Sequence, residues 1–292
     1  MEDILIESAR YKLKDKSFDP ELLSSYHLTI KVHPSYVSIA VFNLEDHLCL
    51  SLESYLYEKA ENATSLIVRL HNIWNRHEYL NAAFWNKISL LIVNDHFTLV
   101  PAQLAQLAPE AYLKLNTPVN LSEQSVFQKE IDTLQLQCDF VVEKELVTWF
   151  EERYPNKTLE ITHVNAAFLQ GLVEISQEAA AEEIFILLNK ELVSIANFKE
   201  GKLHYFNSFR HQMEDDIIYY LSLVADELQL STQSAKIVLW GDVEENEETF
   251  SLLQRFFKNV GFGGRPTSLK FGYIFDEVPD HFEYDIFSVF LA

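Results

Sequence analysis

Between Tyr26 and Tyr57, apolar and polar residues alternate in three short runs. Leu28, Ile30 and Val32 interleave with Thr29 and Lys31. Val37, Ile39 and Val41 follow a break at His33-Pro34-Ser35. Leu48, Leu50 and Leu52 follow the polar stretch Asn43-Leu44-Glu45-Asp46. Alternation places one set of side chains on one face of a strand, and Pro, Asn and Asp mark turns. The pattern predicts a three-stranded antiparallel meander with one buried face.

The pattern returns from Ile184. Strands are expected at Ile184–Leu188, Leu192–Phe198 and Leu203–Phe206, with turns at Asn189-Lys190-Glu191 and Lys199-Glu200-Gly201-Lys202. The middle strands share a tetrapeptide. Val37-Ser38-Ile39-Ala40 and Val193-Ser194-Ile195-Ala196 lie 156 residues apart, with Phe42 matching Phe198. The match has weight because it falls in the same strand of the same meander.

Similar elements follow each meander. After the second, a helix is expected over Gln212–Leu230, with an apolar stripe of Met213, Ile217, Leu221, Val224 and Leu228 and acids in its first turn. A strand at Lys236–Trp240, a helix from Glu247 to Val260 closed by Gly261, and a strand at Leu269–Phe275 complete this half. After the first meander, Glu58–Phe84 reads as largely helical and Lys87–Val93 as a strand. Phe97–Val100, a short helix from Pro101 and an irregular stretch from Pro109 to Glu130 follow. Then come a strand over Asp132–Val142, a helix over Glu143–Tyr154, a strand over Thr158–His163 and a helix over Asn165–Gln177. The boundary is expected within Gln177–Glu183, giving lobes of residues 1–180 and 181–292.

Three antiparallel strands, then helix, strand and helix, occurring twice, resemble the actin-like ATPase fold of actin, sugar kinases and the heat-shock chaperone ATPase domain. Within that superfamily the chain resembles an uncharacterised bacterial family related to the pilus-assembly and cell-division actin relatives. The implied class is α/β, with duplicated actin-like (ribonuclease H-like) lobes. Each lobe would be a mixed sheet opened by the meander and covered by helices, with a cleft between lobes. The resemblance also implies an ATP site whose phosphate turns carry Asp-x-Gly in the first turn of each meander. With the shared tetrapeptide as register, Lys31 and Leu187 fall at the acid positions, and His33 and Asn189 at the glycine positions. Ile237-Val238-Leu239-Trp240-Gly241-Asp242 matches the adenosine-side motif in its strand and in Gly241 alone. If a nucleotide binds, its candidate contacts are Lys31, His33, Ser35, Asn189, Lys190, Gly241 and Asp242. No catalytic residue and no metal ligand is assigned.

Glycine usage agrees. The chain of 292 residues has seven glycines, the first being Gly171. Phosphate loops need glycine for close backbone approach. A formal charge of −21 repels nucleic-acid backbones and anionic lipid, so neither partner is expected. The 48% hydrophobic content, with 21 Phe and 13 Tyr, supplies a large core. Met1-Glu2-Asp3-Ile4-Leu5-Ile6 does not read as a signal peptide, and no apolar run approaches membrane-spanning length, so a cytoplasmic location is expected.

Other candidates read as structural. Cys49 and Cys138 make neither a disulfide framework nor a zinc spacing. His71 and His77, six apart on an expected helix, do not share a face, and His204 and His211 straddle a strand-to-helix junction. The acidic run Asp242–Glu248 leads into a helix start, and Glu143, Glu145, Glu151 and Glu152 fit solvated helix faces. Gly261-Phe262-Gly263-Gly264-Arg265-Pro266 reads as a helix cap and turn rather than an anion nest.

The preferred reading is a catalytically degenerate actin-like module that binds protein partners and needs no cofactor. The partner surface is expected to be an exposed apolar patch rimmed by carboxylates, with Pro109–Glu130 as the family-specific element. An ATP-binding protein or ATPase (with Mg²⁺) using unconventional turns, and a pocket protein for another small ligand, are the alternatives.

Overall fold

The computed structural model describes residues 9–105, 108–177, 180, 182–245 and 247–291. The N-terminal hexapeptide, parts of the expected inter-lobe boundary and Asn246 lie outside these residues. The first part of the chain runs β1 (Tyr11–Lys14), β2 (Tyr26–His33), β3 (Tyr36–Asn43), β4 (Leu48–Leu56), α1 (Ala63–Trp74), β5 (Lys87–Ile92) and β6 (Phe97–Pro101). It continues through α2 (Pro109–Asn116), β7 (Gln124–Ile131), β8 (Leu136–Glu143), α3 (Lys144–Arg153), β9 (Leu159–His163) and α4 (Val164–Ser176). The remainder runs β10 (Glu183–Asn189), β11 (Leu192–Lys199), β12 (Lys202–Arg210), α5 (Glu214–Glu227), β13 (Lys236–Gly241), α6 (Glu248–Phe256), β14 (Asn259–Phe262), β15 (Lys270–Phe271) and α7 (Tyr284–Ser288).

Two compact units divide the chain. One comprises Met1–Glu130, Gln135–Ala166 and Thr267–Val278; the other comprises Ile131–Leu134, Ala167–Pro266 and Pro279–Ala292. The first holds a sheet in the order β1-β4-β3-β2-β5-β9, with β15 also pairing β4, and a three-stranded sheet in the order β6-β8-β7. The second holds a sheet in the order β12-β11-β10-β13-β14.

The two large sheets repeat one plan. A central strand pairs antiparallel with its meander partner and parallel with the strand after the helix, as β2 does with β3 and β5, and β10 with β11 and β13. Lys31 pairs Ser38 as Leu187 pairs Ser194, and Val32 pairs Val37 as Leu188 pairs Val193. Each third strand is bulged at the same place, at Leu50 opposite Val41 and Phe42 and at His204 opposite Asn197 and Phe198. Each middle strand also joins a serine to one on the third strand, Ser38 to Ser54 and Ser194 to Ser208, both at 3.1 Å.

The expectation of one buried face was too simple. All eight residues of β2 are buried, including His27, Thr29, Lys31 and His33. Register explains the surprise in β4. Glu53 pairs Ile39 and Ser51 pairs Val41, whereas Leu52 pairs Ala40. The polar members of β4 therefore share a face with Ile39 and Val41.

Several boundaries also differ from expectation. The helix expected over Glu58–Phe84 is confined to α1. It opens at Asn62, whose side chain accepts the Ser65 N–H at 2.9 Å, and Asn81 Nδ2 donates to the Trp74 carbonyl at its end. Pro109–Glu130 is not irregular, since it forms α2 and most of β7. Asp132–Leu134 is a single 3₁₀ turn before β8. The last part of the expected Glu247–Val260 helix is strand β14, so Gly261 pairs Val238 in a sheet instead of capping a helix. Of the expected strand Leu269–Phe275 only β15 forms, and Tyr273–Glu277 is a 3₁₀ turn. Four-residue segments are too short to display a period, which is also why β1 escaped notice.

In the second unit the apolar positions of β10, β11 and β13 meet the α5 stripe of Ile217, Leu221 and Val224 and Leu253 of α6 in one cluster. An aromatic group joins Phe185, Phe168 and Tyr284 around Trp240, at ring distances of 4.8–6.1 Å.

Candidate functional site

The first meander turn consists of Pro34 and Ser35 between β2 and β3. His33 closes it from within. Its Nδ1 accepts the backbone N–H of Ser35 at 3.0 Å, and its ring stacks on Tyr36 with centroids 4.6 Å apart. The turn's carbonyls are engaged as well. Ser35 O accepts from Tyr57 N at 3.0 Å, Pro34 O from Ala60 N at 2.8 Å, and His33 O from the Tyr57 hydroxyl at 2.8 Å. An imidazole thus occupies an amide that a phosphate-binding turn would offer to its ligand. Lys31 is buried, with its ammonium 5.4 Å from the Tyr36 ring centroid.

The second meander turn consists of Lys190 and Glu191. Lys190 is exposed and adopts φ +46°. Asn189 is buried, and its Nδ2 donates to Asp285 Oδ2 at 3.4 Å. Gly241 ends β13 at φ +108°, where a Cβ would overlap the carbonyl oxygen of Leu188 on the neighbouring strand. Its N–H donates to His281 O at 3.0 Å. The glycine is required by close packing and a left-handed backbone in its own unit. Asp242 beside it is exposed.

Lys31, His33 and Ser35 lie in the first unit, and Asn189, Lys190, Gly241 and Asp242 in the second. His33 and Ser35 touch directly, as do the neighbouring strand ends at Leu188 and Gly241–Asp242.

One buried polar cluster is not marked by the alternation pattern. Glu53, fully buried in β4, accepts from the Tyr79 hydroxyl at 2.8 Å and from the Tyr55 hydroxyl, and lies 3.1 Å from His77 Nε2 and 3.5 Å from Lys12 Nζ. Burial pushes its carboxyl pKa up, but the hydrogen bonds and charge of His77 and the two tyrosine hydroxyls outweigh it and hold the group at about 2. A glutamate in a half-polar strand looks solvent-facing in sequence; here it meets Lys12 of β1 and the chain after α1, through His77 and Tyr79.

The remaining candidates fall into place locally. His77 lies beyond the end of α1, whereas His71 is within it and 2.8 Å from Arg153 Nη2. His204 is in β12, 3.2 Å from Asn197 Oδ1, and His211 follows that strand. Burial lowers the pKa of His27 and of His163 to about 3. Gly263 lies against Trp240, where a Cβ would overlap the indole, and Arg265 pairs with Asp280 at 3.2 Å. Neither cysteine is in a disulfide, and both are buried. Among the described residues no group of three or more His, Cys, Asp or Glu is placed to hold a metal, and no helix is long and apolar enough to cross a membrane.

Comparison with solved structures identifies the fold. A Bacteroides thetaiotaomicron VPI-5482 protein with actin-like ATPase fold and unknown function superposes with TM-score 0.76 at 19% identity, covering 94% of this chain and 99% of that one. The PilM-PilN type IV pilus biogenesis complex contains a chain matching with TM-score 0.56 at 11% identity, covering 91% and 97%. No curated protein matches the sequence. The fold is the two-lobed actin-like ATPase fold, as the element order implied. The model of a family described as "Protein of unknown function (DUF3822)" matches residues 15–260, and the chain belongs to that family.

Proposed function

We propose that this chain is a catalytically degenerate actin-like protein, built by internal duplication, that acts in the cytoplasm by binding other proteins. The observation that carries the reading is the first meander turn, where His33 stands at the expected glycine position and takes the Ser35 N–H for itself. Lys31 and Leu187 at the expected acid positions leave no carboxylate there to organise Mg²⁺. Gly241, the best sequence match to a nucleotide motif, is accounted for by its packing on Leu188. A protein partner is supported by the pilus-biogenesis neighbour, which is found in a complex with a second protein. A nucleic-acid partner is disfavoured by the charge of −21.

The test is calorimetric titration of the full chain with ATP and ADP, with and without Mg²⁺, beside a phosphate-release assay. No saturable heat and no release above a protein-free blank are expected. Saturable nucleotide binding or turnover overturns the reading and returns Lys31, His33, Ser35, Asn189, Lys190, Gly241 and Asp242 to candidacy as nucleotide contacts.

A further inference from the structure

The third meander strand is treated differently in the two lobes. In the first, the outer edge of β4 is covered: β1 pairs Ser51–Ser54 antiparallel, and β15 pairs Leu48 and Cys49 parallel. In the second, β12 pairs with β11 alone among the described residues, and it ends the sheet. Lys202, His204, Asn207 and Arg210 along it are exposed. The Ser208 N–H is taken by Asn207 Oδ1 at 2.9 Å, a local bond that an arriving carbonyl can displace. A nine-residue strand that ends its sheet among the described residues is a template for another strand.

The flank of this edge indicates what would fill it. Helix α5 lies beside β12, with Phe209 stacked on Tyr220 at 4.4 Å and Tyr205 within electrostatic reach of Glu227. On its outer surface Asp215, Tyr219, Leu223 and Glu227 form one ridge at i+4 spacing. Tyr219 and Leu223 are 60% and 48% exposed, large values for apolar side chains facing the same way. The helix carries five carboxylates and no Lys, Arg or His. Two of them, Asp226 and Glu227, sit in its last turn, where the helix dipole makes negative charge unfavourable.

We propose that β12 and the outer ridge of α5 form a docking surface for an extended segment of a protein partner. That segment adds as a strand to β12 and presents apolar and Lys/Arg side chains to α5. The assignment rests on the protein-binding reading above. A second copy of this chain fits less well. Pairing of two β12 strands about Phe206 sets Lys202 opposite Arg210 at both ends, and each copy carries a charge of −21.

The test uses the full chain and two labelled nine-residue peptides, one alternating Val with Lys and one alternating Val with Glu. Binding is read by fluorescence anisotropy and located by hydrogen exchange. The Lys peptide should bind at least about tenfold more tightly, as charge complementarity requires, and slow exchange within Lys202–Arg210. The variant Asp215→Lys/Glu227→Lys should weaken it by about tenfold, the effect of turning two surface attractions into repulsions. Ser208→Pro, which removes an edge N–H, should abolish it. Equal binding of the Glu peptide, protection elsewhere, or indifference to the charge-reversal variant overturns the proposal. So does a dimer of the unliganded chain that Ser208→Pro dissociates. The assay contains no nucleotide, so its failure leaves the nucleotide-inert reading standing. ATP turnover would remove that reading whatever the peptides do.

Discussion

His33 Nδ1 accepts the backbone N–H of Ser35 at 3.0 Å, across a two-residue turn whose carbonyls are held by Tyr57 and Ala60. The turn is therefore satisfied from inside the protein. His33→Ala removes this bond and the stacking on Tyr36 from a buried position. It should cost about 2 kcal/mol, the usual range for a buried hydrogen bond plus ring packing, as read by urea unfolding. A variant within 0.5 kcal/mol of the parent would mean that His33 does not hold the turn.

The Glu53 cluster predicts acid sensitivity. Its carboxyl is held at about 2 in the folded protein against an ordinary value of 4.5. Because the folded value is depressed, the stabilisation is complete above pH 4.5 and declines as pH falls towards 2. The full effect is about 3 kcal/mol by the usual conversion. Unfolding midpoints between pH 7 and pH 3 should fall steeply for the parent. In Glu53→Gln the fall should be shallower, from a lower starting stability.

Gly241 and Gly261 make a controlled pair. Gly241→Ala meets the Leu188 carbonyl at φ +108° and should destabilise by about 3 kcal/mol or more. Gly261→Ala finds open space in strand β14 and should lie within about 0.5 kcal/mol of the parent. Thermal unfolding of the two variants side by side reads the difference; equal melting temperatures would remove the packing account of Gly241.

The buried Tyr154 hydroxyl donates to Leu80 O at 2.8 Å and accepts from Trp74 Nε1 at 3.1 Å. Tyr154→Phe leaves both groups without this partner and should cost about 1–3 kcal/mol. A denaturant midpoint unchanged from the parent would show that neither bond matters to stability.

In α2, Leu113 is fully buried and Leu115 is 80% exposed. Leu113→Ala should cost about 2–5 kcal/mol and Leu115→Ala under about 0.5. Point substitutions at Leu115 are thus the proper probe of this segment as a partner surface, since deleting it would remove a helix and a strand of a packed sheet. If Leu115→Ala proved the costlier change, the orientation of α2 would be wrong.

Alternation, turn residues and the repeated Val-Ser-Ile-Ala were enough to place both meanders and to predict that Lys31 and Leu187 occupy equivalent positions. Period-2 patterning is local, and β2–β3 and β10–β11 are joined by two-residue turns that fix register without help from the rest of the chain. Ile217, Leu221 and Val224 of the α5 stripe and the strands β5 and β13 were legible because their patterns are local too, whereas Met213, expected on that stripe, sits at the helix N-cap and is 61% exposed. That His33 and Asn189 stand where the resemblance expects glycine was also legible, because residue identity needs no geometry to detect.

Tertiary structure decided the rest. From Cys49 to Ser54, β4 is buried on both faces, and Glu53 meets residues as remote as Lys12, His77 and Tyr79, so its burial could not be read from Leu48–Leu56 alone. Asn259–Phe262 joined a sheet because β13 offered a parallel edge, overriding the helical pattern before it. The covered edge of β4 and the open edge of β12 differ through β1 and β15, segments remote in sequence from the strand they protect. Local patterns specify elements; only long-range pairing specifies which edges and faces remain for a partner.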